Sequence, residues 1–90
     1  MKDVENFYDK AEILKALAHP VRLCIVKGLI DKECNVTYMQ ECLELPQSTV
    51  SQHIGVLRSK GIIKGIRKGL EITYCVVNED VKRIIKALFS

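Results

Sequence analysis

Ninety residues with a net charge of +3 and 48% hydrophobic content describe one small domain, for which nucleic acid is a permitted partner. No apolar run is long enough to span a membrane, and the acidic, amphipathic start MKDVENFYDK is not read as a secretory signal. Four cysteines in that context point to reduced thiols in a cytoplasmic protein and exclude a disulfide scaffold. A chain this short and this hydrophobic buries only a modest fraction of its surface alone, so a second subunit is expected.

The first helix is expected over residues 4–18, where Val4, Phe7, Tyr8, Ala11, Leu14 and Ala18 repeat at helical spacing. Pro20 ends it, because the residue before a proline avoids the helical region, and the same proline suits the first position of the next helix. His19 stands beside it and is positioned to cap. Residues 20–30, PVRLCIVKGLI, are apolar nearly all round and predict a central, buried helix. Asp31 to Asn35 reads as a turn. A short helix follows at 37–44, with Thr37 as N-cap and Gln40 completing a capping box.

Leu45-Pro46 breaks the chain and a helix over 47–60 begins. Its two faces differ. Val50, Ile54 and Leu57 form an apolar stripe, while Ser48, Ser51, Gln52, Gly55 and Ser59 project to the other side. A solvated helix face ordinarily carries Glu and Lys. A short, uncharged, hydrogen-bonding face suits close approach to another polar surface, such as base edges in a DNA groove. Gly61 supplies the left-handed stop. Two short helices joined by a tight turn make a helix-turn-helix pattern.

Beyond Gly61 the period changes to two, and β-branched runs at 62–67 and 70–77 predict a hairpin turning at Lys68-Gly69. Leu70, Ile72, Tyr74 and Val76 share one strand face. Lys64, Arg67 and Lys68 surround the hairpin tip. Asn78 reads as the N-cap of a last helix at 79–89, with Val81, Ile84, Ile85 and Leu88 as its stripe. The fold class is therefore mainly α with a β-hairpin wing: a winged helix-turn-helix in a single domain, residues 1–90. The terminal helices are too short to be stable alone, so their stripes need a covering surface.

The segments HPVRLCIV, LPQSTVSQHIGVLRSKGII and RKGLEITYCV resemble the ArsR/SmtB family of bacterial winged helix-turn-helix transcriptional repressors, over almost all of residues 8–89. The resemblance implies a homodimer paired through its first and last helices, with Phe7, Tyr8, Ala11, Leu14, Ile84, Ile85 and Leu88 at the interface. It implies a double-stranded DNA operator as partner and an inducer that releases it. Gln47, Ser48, Thr49, Ser51 and Gln52 would lie at the major groove. Arg67 and Lys68 would meet phosphates or the minor groove, with Arg58 and Lys64 counted among the DNA contacts.

Three sensing sites of the family lack their ligands in this chain. The Cys-x-Cys positions of the third helix carry Asn35 and Thr37, residues 78–90 hold no His, and the second-helix Cys of the persulfide sensors falls at Lys27. No metal and no cofactor is expected, and the inducer stays open between thiol-reactive agents, metalloids and others. Cys24 is read as a small buried hydrophobe, Cys42 as a core residue and Cys75 as a half-exposed strand residue. Cys34, in a turn beside Lys32, is expected to be the most exposed thiol and is the candidate sensor; an ordinary turn residue is the other reading. His53, at the edge of the apolar stripe, is read as a hydrogen-bonded core residue. No acid/base pair, nucleophile constellation or phosphate loop appears, so an enzyme is not expected. The alternative to a repressor is a winged-helix adaptor that binds protein, although such a surface favours aromatics and Leu where this one has Ser and Gln.

Overall fold

The computed structural model describes residues 4–90. Helices α1 (Val4–Leu17) and α2 (Pro20–Asp31) are followed by a two-residue strand β1 (Cys34–Asn35). Helices α3 (Val36–Leu43) and α4 (Gln47–Ser59) come next, then strands β2 (Ile63–Lys68) and β3 (Glu71–Val76), and finally helix α5 (Glu79–Leu88). The order is the winged helix-turn-helix read from the sequence, with β1 added.

Each boundary has a local cause. His19 holds an extended conformation and its Nδ1 accepts the Val21 N–H at 3.1 Å, so α2 starts on a side-chain cap with Pro20 just inside it. Helix α3 starts earlier than expected and its cap is Asn35, whose Oδ1 accepts the Tyr38 N–H at 2.8 Å. Thr37 lies one residue inside the helix, where a hydroxyl cannot reach the free N–H groups of the first turn. Glu44 closes α3 in the left-handed region at φ 56°. The Pro46 carbonyl then accepts from Thr49 and Val50, both at 3.1 Å, and starts α4 without a side-chain cap. Gly61, at φ 71°, ends α4, and the Ile62 N–H returns to the Leu57 carbonyl at 3.1 Å. Asn78 caps α5 as expected, its Oδ1 accepting from the Val81 N–H at 3.0 Å.

The sheet order is β1-β3-β2, antiparallel throughout. Lys68 pairs with Glu71, so the hairpin turn is Gly69-Leu70, one residue later than Lys68-Gly69. Only Gly69 of the two has positive φ (65°), which is the type II′ pattern that matches strand twist. The shift removes Leu70 from the strand face and leaves it at the tip, 98% exposed. The expected turn at Asp31–Asn35 is partly strand: Cys34 pairs with Tyr74 and Asn35 with Thr73. Asn35 thus joins the wing to the start of α3.

The core runs between α2, α4 and the sheet. Val26, Val50, Leu57, Ile62, Val81 and Ile85 are its fully buried large side chains. Helix α2 is central, but not buried all round: Cys24, Gly28 and Ile30 are exposed, while Ile25, Val26 and Leu29 are buried. The stripe of α5 divides as well. Ile85 is 2% exposed inside its own protomer, Ile84 is half-buried and Leu88 is 62% exposed. Ile85 therefore has almost no surface to offer a partner, a correction to its reading as an interface residue. Among the described residues no helix is long and apolar enough to cross a membrane.

Candidate nucleic-acid interface

Val50, Ile54 and Leu57 anchor α4 in the core, and that anchoring turns its opposite face outward. Gln47, Ser48, Ser51 and Gln52 are exposed, Thr49 and Gly55 half-buried. Ser59 donates to the Val56 carbonyl at 2.8 Å and so belongs to the helix end rather than the open face. The remaining groups are short, uncharged donors and acceptors on a rigid helix, a surface that can follow base edges closely.

A polar brace holds α4 from beneath. Arg22 donates through Nε to the Ala16 carbonyl at 2.6 Å, and its guanidinium lies 3.3 Å from His53 Nδ1. That donor leaves His53 Nδ1 as the acceptor, so the neutral ring carries its proton on Nε2. The His19 and His53 rings lie 4.6 Å apart. Burial first, then His19 and Arg22, push His53 below the usual histidine range. His53 is thus hydrogen-bonded as expected but half-buried rather than in the core, and His19 caps the start of α2. The brace was not legible in the sequence, because Arg22 and His53 stand 31 positions apart.

Among the described residues, cations outside any ion pair occur on α4 and the wing and also elsewhere, at Arg22, Lys32 and Lys86. The six ion pairs among the described residues engage Lys10, Lys15, Lys27, Lys60, Lys82 and Arg83. Arg58 on α4 and Lys64, Arg67 and Lys68 on the wing enter none of them, and all four are exposed. Arg67 folds back to donate to the Gly69 carbonyl at 3.3 Å. Cations left without acids beside a hydrogen-bonding helix face are suited to phosphates.

The thiols depart from expectation. Cys24 and Cys42, expected in the core, are exposed, and Cys34, expected to be the most exposed, is half-buried; only Cys75, half-exposed on β3, is as expected. Burial first, then Cys42, push the Cys34 thiol up, and Lys32 only partly opposes them. The physical reason is β1: pairing with β3 draws Cys34 inward, and α2 and α3 turn Cys24 and Cys42 to the rim between them. Among the described residues no group of three or more His, Cys, Asp or Glu side chains could hold a metal ion.

Residues 17–66 match a family model described as a helix-turn-helix domain. The chain is 52% identical to the transcriptional repressor PagR of Bacillus anthracis, over 89% of this chain and 81% of that protein. The PagR crystal structure superposes with a TM-score of 0.87, at 48% identity, covering 96% of this chain and 99% of that one. The homodimeric winged helix-turn-helix domain of Mb0332 from Mycobacterium bovis, a possible ArsR-family regulator, superposes at 0.88 with 27% identity, covering 98% and 83%. This chain belongs to the ArsR/SmtB family. Family members differ in the sign of their control: the transcriptional activator HlyU of Vibrio cholerae is 34% identical over 98% of this chain and 82% of its own length. Its structure superposes at 0.89, covering 98% of this chain and 94% of that one, at 33% identity. Both PagR and HlyU are transcriptional regulators.

Proposed function

We propose that residues 1–90 form a single winged helix-turn-helix domain that represses transcription in the cytoplasm by binding a DNA operator as a homodimer. The observation that carries this reading is the open Ser48, Ser51 and Gln52 face of α4, flanked by Arg58, Lys64, Arg67 and Lys68 with no acid partner. In this arrangement Gln47, Ser48, Thr49, Ser51 and Gln52 read or line the major groove. The four cations fix the register on phosphates. The similarity to PagR favours repression over activation.

Homodimer formation is supported by large apolar side chains left open on the terminal helices. Phe7 is 58% exposed, Tyr8 67% and Leu88 62%, and Ala11 and Leu14 are also open. Together with half-buried Ile84 they form the proposed interface; exposed apolar surface of this kind marks an association site. Two copies place two α4 helices on one duplex, so the operator is a near-palindrome with half-site centres about one helical turn, or a small multiple, apart. The test is selection from a random duplex library followed by footprinting. Enrichment of such a palindrome is the expected result. A protein that is folded and dimeric yet enriches nothing is not an operator-binding repressor.

A further inference from the structure

A groove of about 290 Å³ opens between α2, β1 and α3. Three of the four cysteines line it: Cys24 from α2, Cys34 from β1 and Cys42 from α3. Ile25, Met39 and Leu43 make its walls predominantly apolar. Lys32 and Tyr38 stand at the same groove, the ammonium 5.8 Å from the ring centroid. Tyr38 and Cys42 stand four residues apart on α3, so their side chains are neighbours on one helix face, and Cys42 pushes the Tyr38 phenol up. The Asp31 carboxylate beside them is engaged by Lys27.

Three thiols on one small apolar groove suit a thiol-reactive ligand. They do not converge on a point where an ion could be held, so the arrangement fits attachment at one sulfur with the rest of the groove gripping an apolar body. The volume is near the lower end of small-molecule sites, about 300 Å³. We propose that this groove is an effector site for small apolar conjugated carbonyl compounds, quinones included, and that Cys42 is the residue they modify. The assignment to Cys42 rests on its exposure, on its neighbour Tyr38 and on its place in α3.

The step is a conjugate addition and needs no oxidant. The Cys42 thiol gives its proton to water, and its sulfur bonds to the β-carbon of the conjugated carbonyl. The carbon–carbon π pair forms a new double bond to the carbonyl carbon, the carbonyl π pair moves onto oxygen, and the resulting enolate takes a proton from water. The Tyr38 hydroxyl and the Lys32 ammonium are the donors at hand for that oxygen. Half-buried Cys34 serves as wall, since burial holds it as a thiol.

The consequence for DNA, which rests on the repressor reading, follows from connectivity. Helix α3 packs on α4, and its cap Asn35 is paired to Thr73 of the wing. A body wedged between α2 and α3 displaces the reading helix and the wing together. Two half-sites met at once tolerate little displacement.

The experiment treats the reduced full chain with 2-methyl-1,4-benzoquinone and follows adducts by peptide mass spectrometry, with selected operator DNA in a parallel gel shift. Expected are saturable kinetics, labelling of Cys42 at least tenfold faster than Cys75, and loss of DNA affinity of tenfold or more on modification. Cys42→Ser should keep parental DNA affinity within twofold and lose the response, whereas Cys24→Ser should keep both. Labelling that is unsaturable and equal at all cysteines, or that persists at the groove in Cys42→Ser, overturns the site. Release of DNA by arsenite or divalent metal but not by the quinone overturns it too. Selective, saturable adduct formation with DNA affinity unchanged overturns the effector role. A parent protein that binds no DNA refutes the repressor reading alone, because the labelling arm still decides the groove.

Discussion

Two exposed surfaces of this protomer carry opposite chemistry. The face of α4 and the wing present Ser48, Ser51, Gln52, Arg67 and Lys68; α1 and the end of α5 present Phe7, Tyr8, Leu14 and Leu88. Exposure costs the first set nothing, since those groups hydrogen-bond to water as readily as to a partner. The second set keeps large apolar areas in contact with water, at roughly 25 cal/mol for each Å² that a partner could cover. The comparison teaches that exposure alone identifies no function. What an exposed residue would gain from a partner does, and here the gain is polar and electrostatic at one end and hydrophobic at the other.

The largest effect should come from turning an outward apolar residue into a test against an inward one. Leu57→Ala removes a fully buried side chain of α4 and should cost about 2–5 kcal/mol in urea unfolding. Leu14→Ala, made on an exposed position of α1, should cost far less in a monomer and show its effect only through association. Equal losses at both sites, independent of protein concentration, would mean that the α1 face is not an interface. Tyr8→Asp with Leu88→Asp should next give folded monomers by circular dichroism and sedimentation velocity. Their operator affinity should fall by on the order of 100-fold, because the second half-site is no longer tethered to the first. A double variant that sediments as the parent dimer places the interface elsewhere.

At the polar end the expected effects are smaller and differ in kind. Gln52→Ala should relax base preference at one position by about 1–3 kcal/mol while leaving nonspecific binding intact. Arg67→Ala with Lys68→Ala should weaken all sequences alike and make the log–log salt slope shallower by roughly 0.9 for each phosphate contact removed. An unchanged slope separates the wing from the backbone.

The smallest expected effect is on pH. Burial holds His53 below its unfolded value near 6.5, so the folded state prefers the neutral ring. Its contribution is complete above pH 6.5 and declines as pH falls toward the depressed folded value, because the unfolded chain takes up the proton first. Urea midpoints of the parent should therefore drop as pH is lowered through that window, and His53→Gln should flatten the drop. Parallel profiles for the two proteins would assign the decline to other groups.

Much of the fold was legible because it is written locally. The stripe of Val50, Ile54 and Leu57, the Asn78 cap and the Gly61 stop each depend on neighbours within one or two turns. The exposed groups of α4 followed from the same stripe by elimination. What was missed depends on distant chain. Thr37 looked like a cap until Asn35, fixed by pairing with Thr73, took the place. Cys24 and Cys42 have the composition of core residues, and only the packing of α2 against α3 turns them to a groove. Ile85 and Leu88 belong to one stripe, yet one faces its own core and the other solvent. Periodicity says that a helix has an apolar side; it does not say which molecule covers it.

The sheet order has a consequence for handling the protein. With β3 in the middle, β2 keeps an unpaired outer edge, and it carries exposed Ile66 beside Gly65. Such an edge is a template for strand addition between molecules, and charge along it is the usual deterrent. Lys64, Arg67 and Lys68 occupy that strand. The residues proposed to hold phosphates therefore also keep free protein from polymerising edge to edge. A DNA-blind variant made by replacing all three with alanine loses its colloidal protection together with its ligand. Replacement by glutamate is the better route to a soluble negative control.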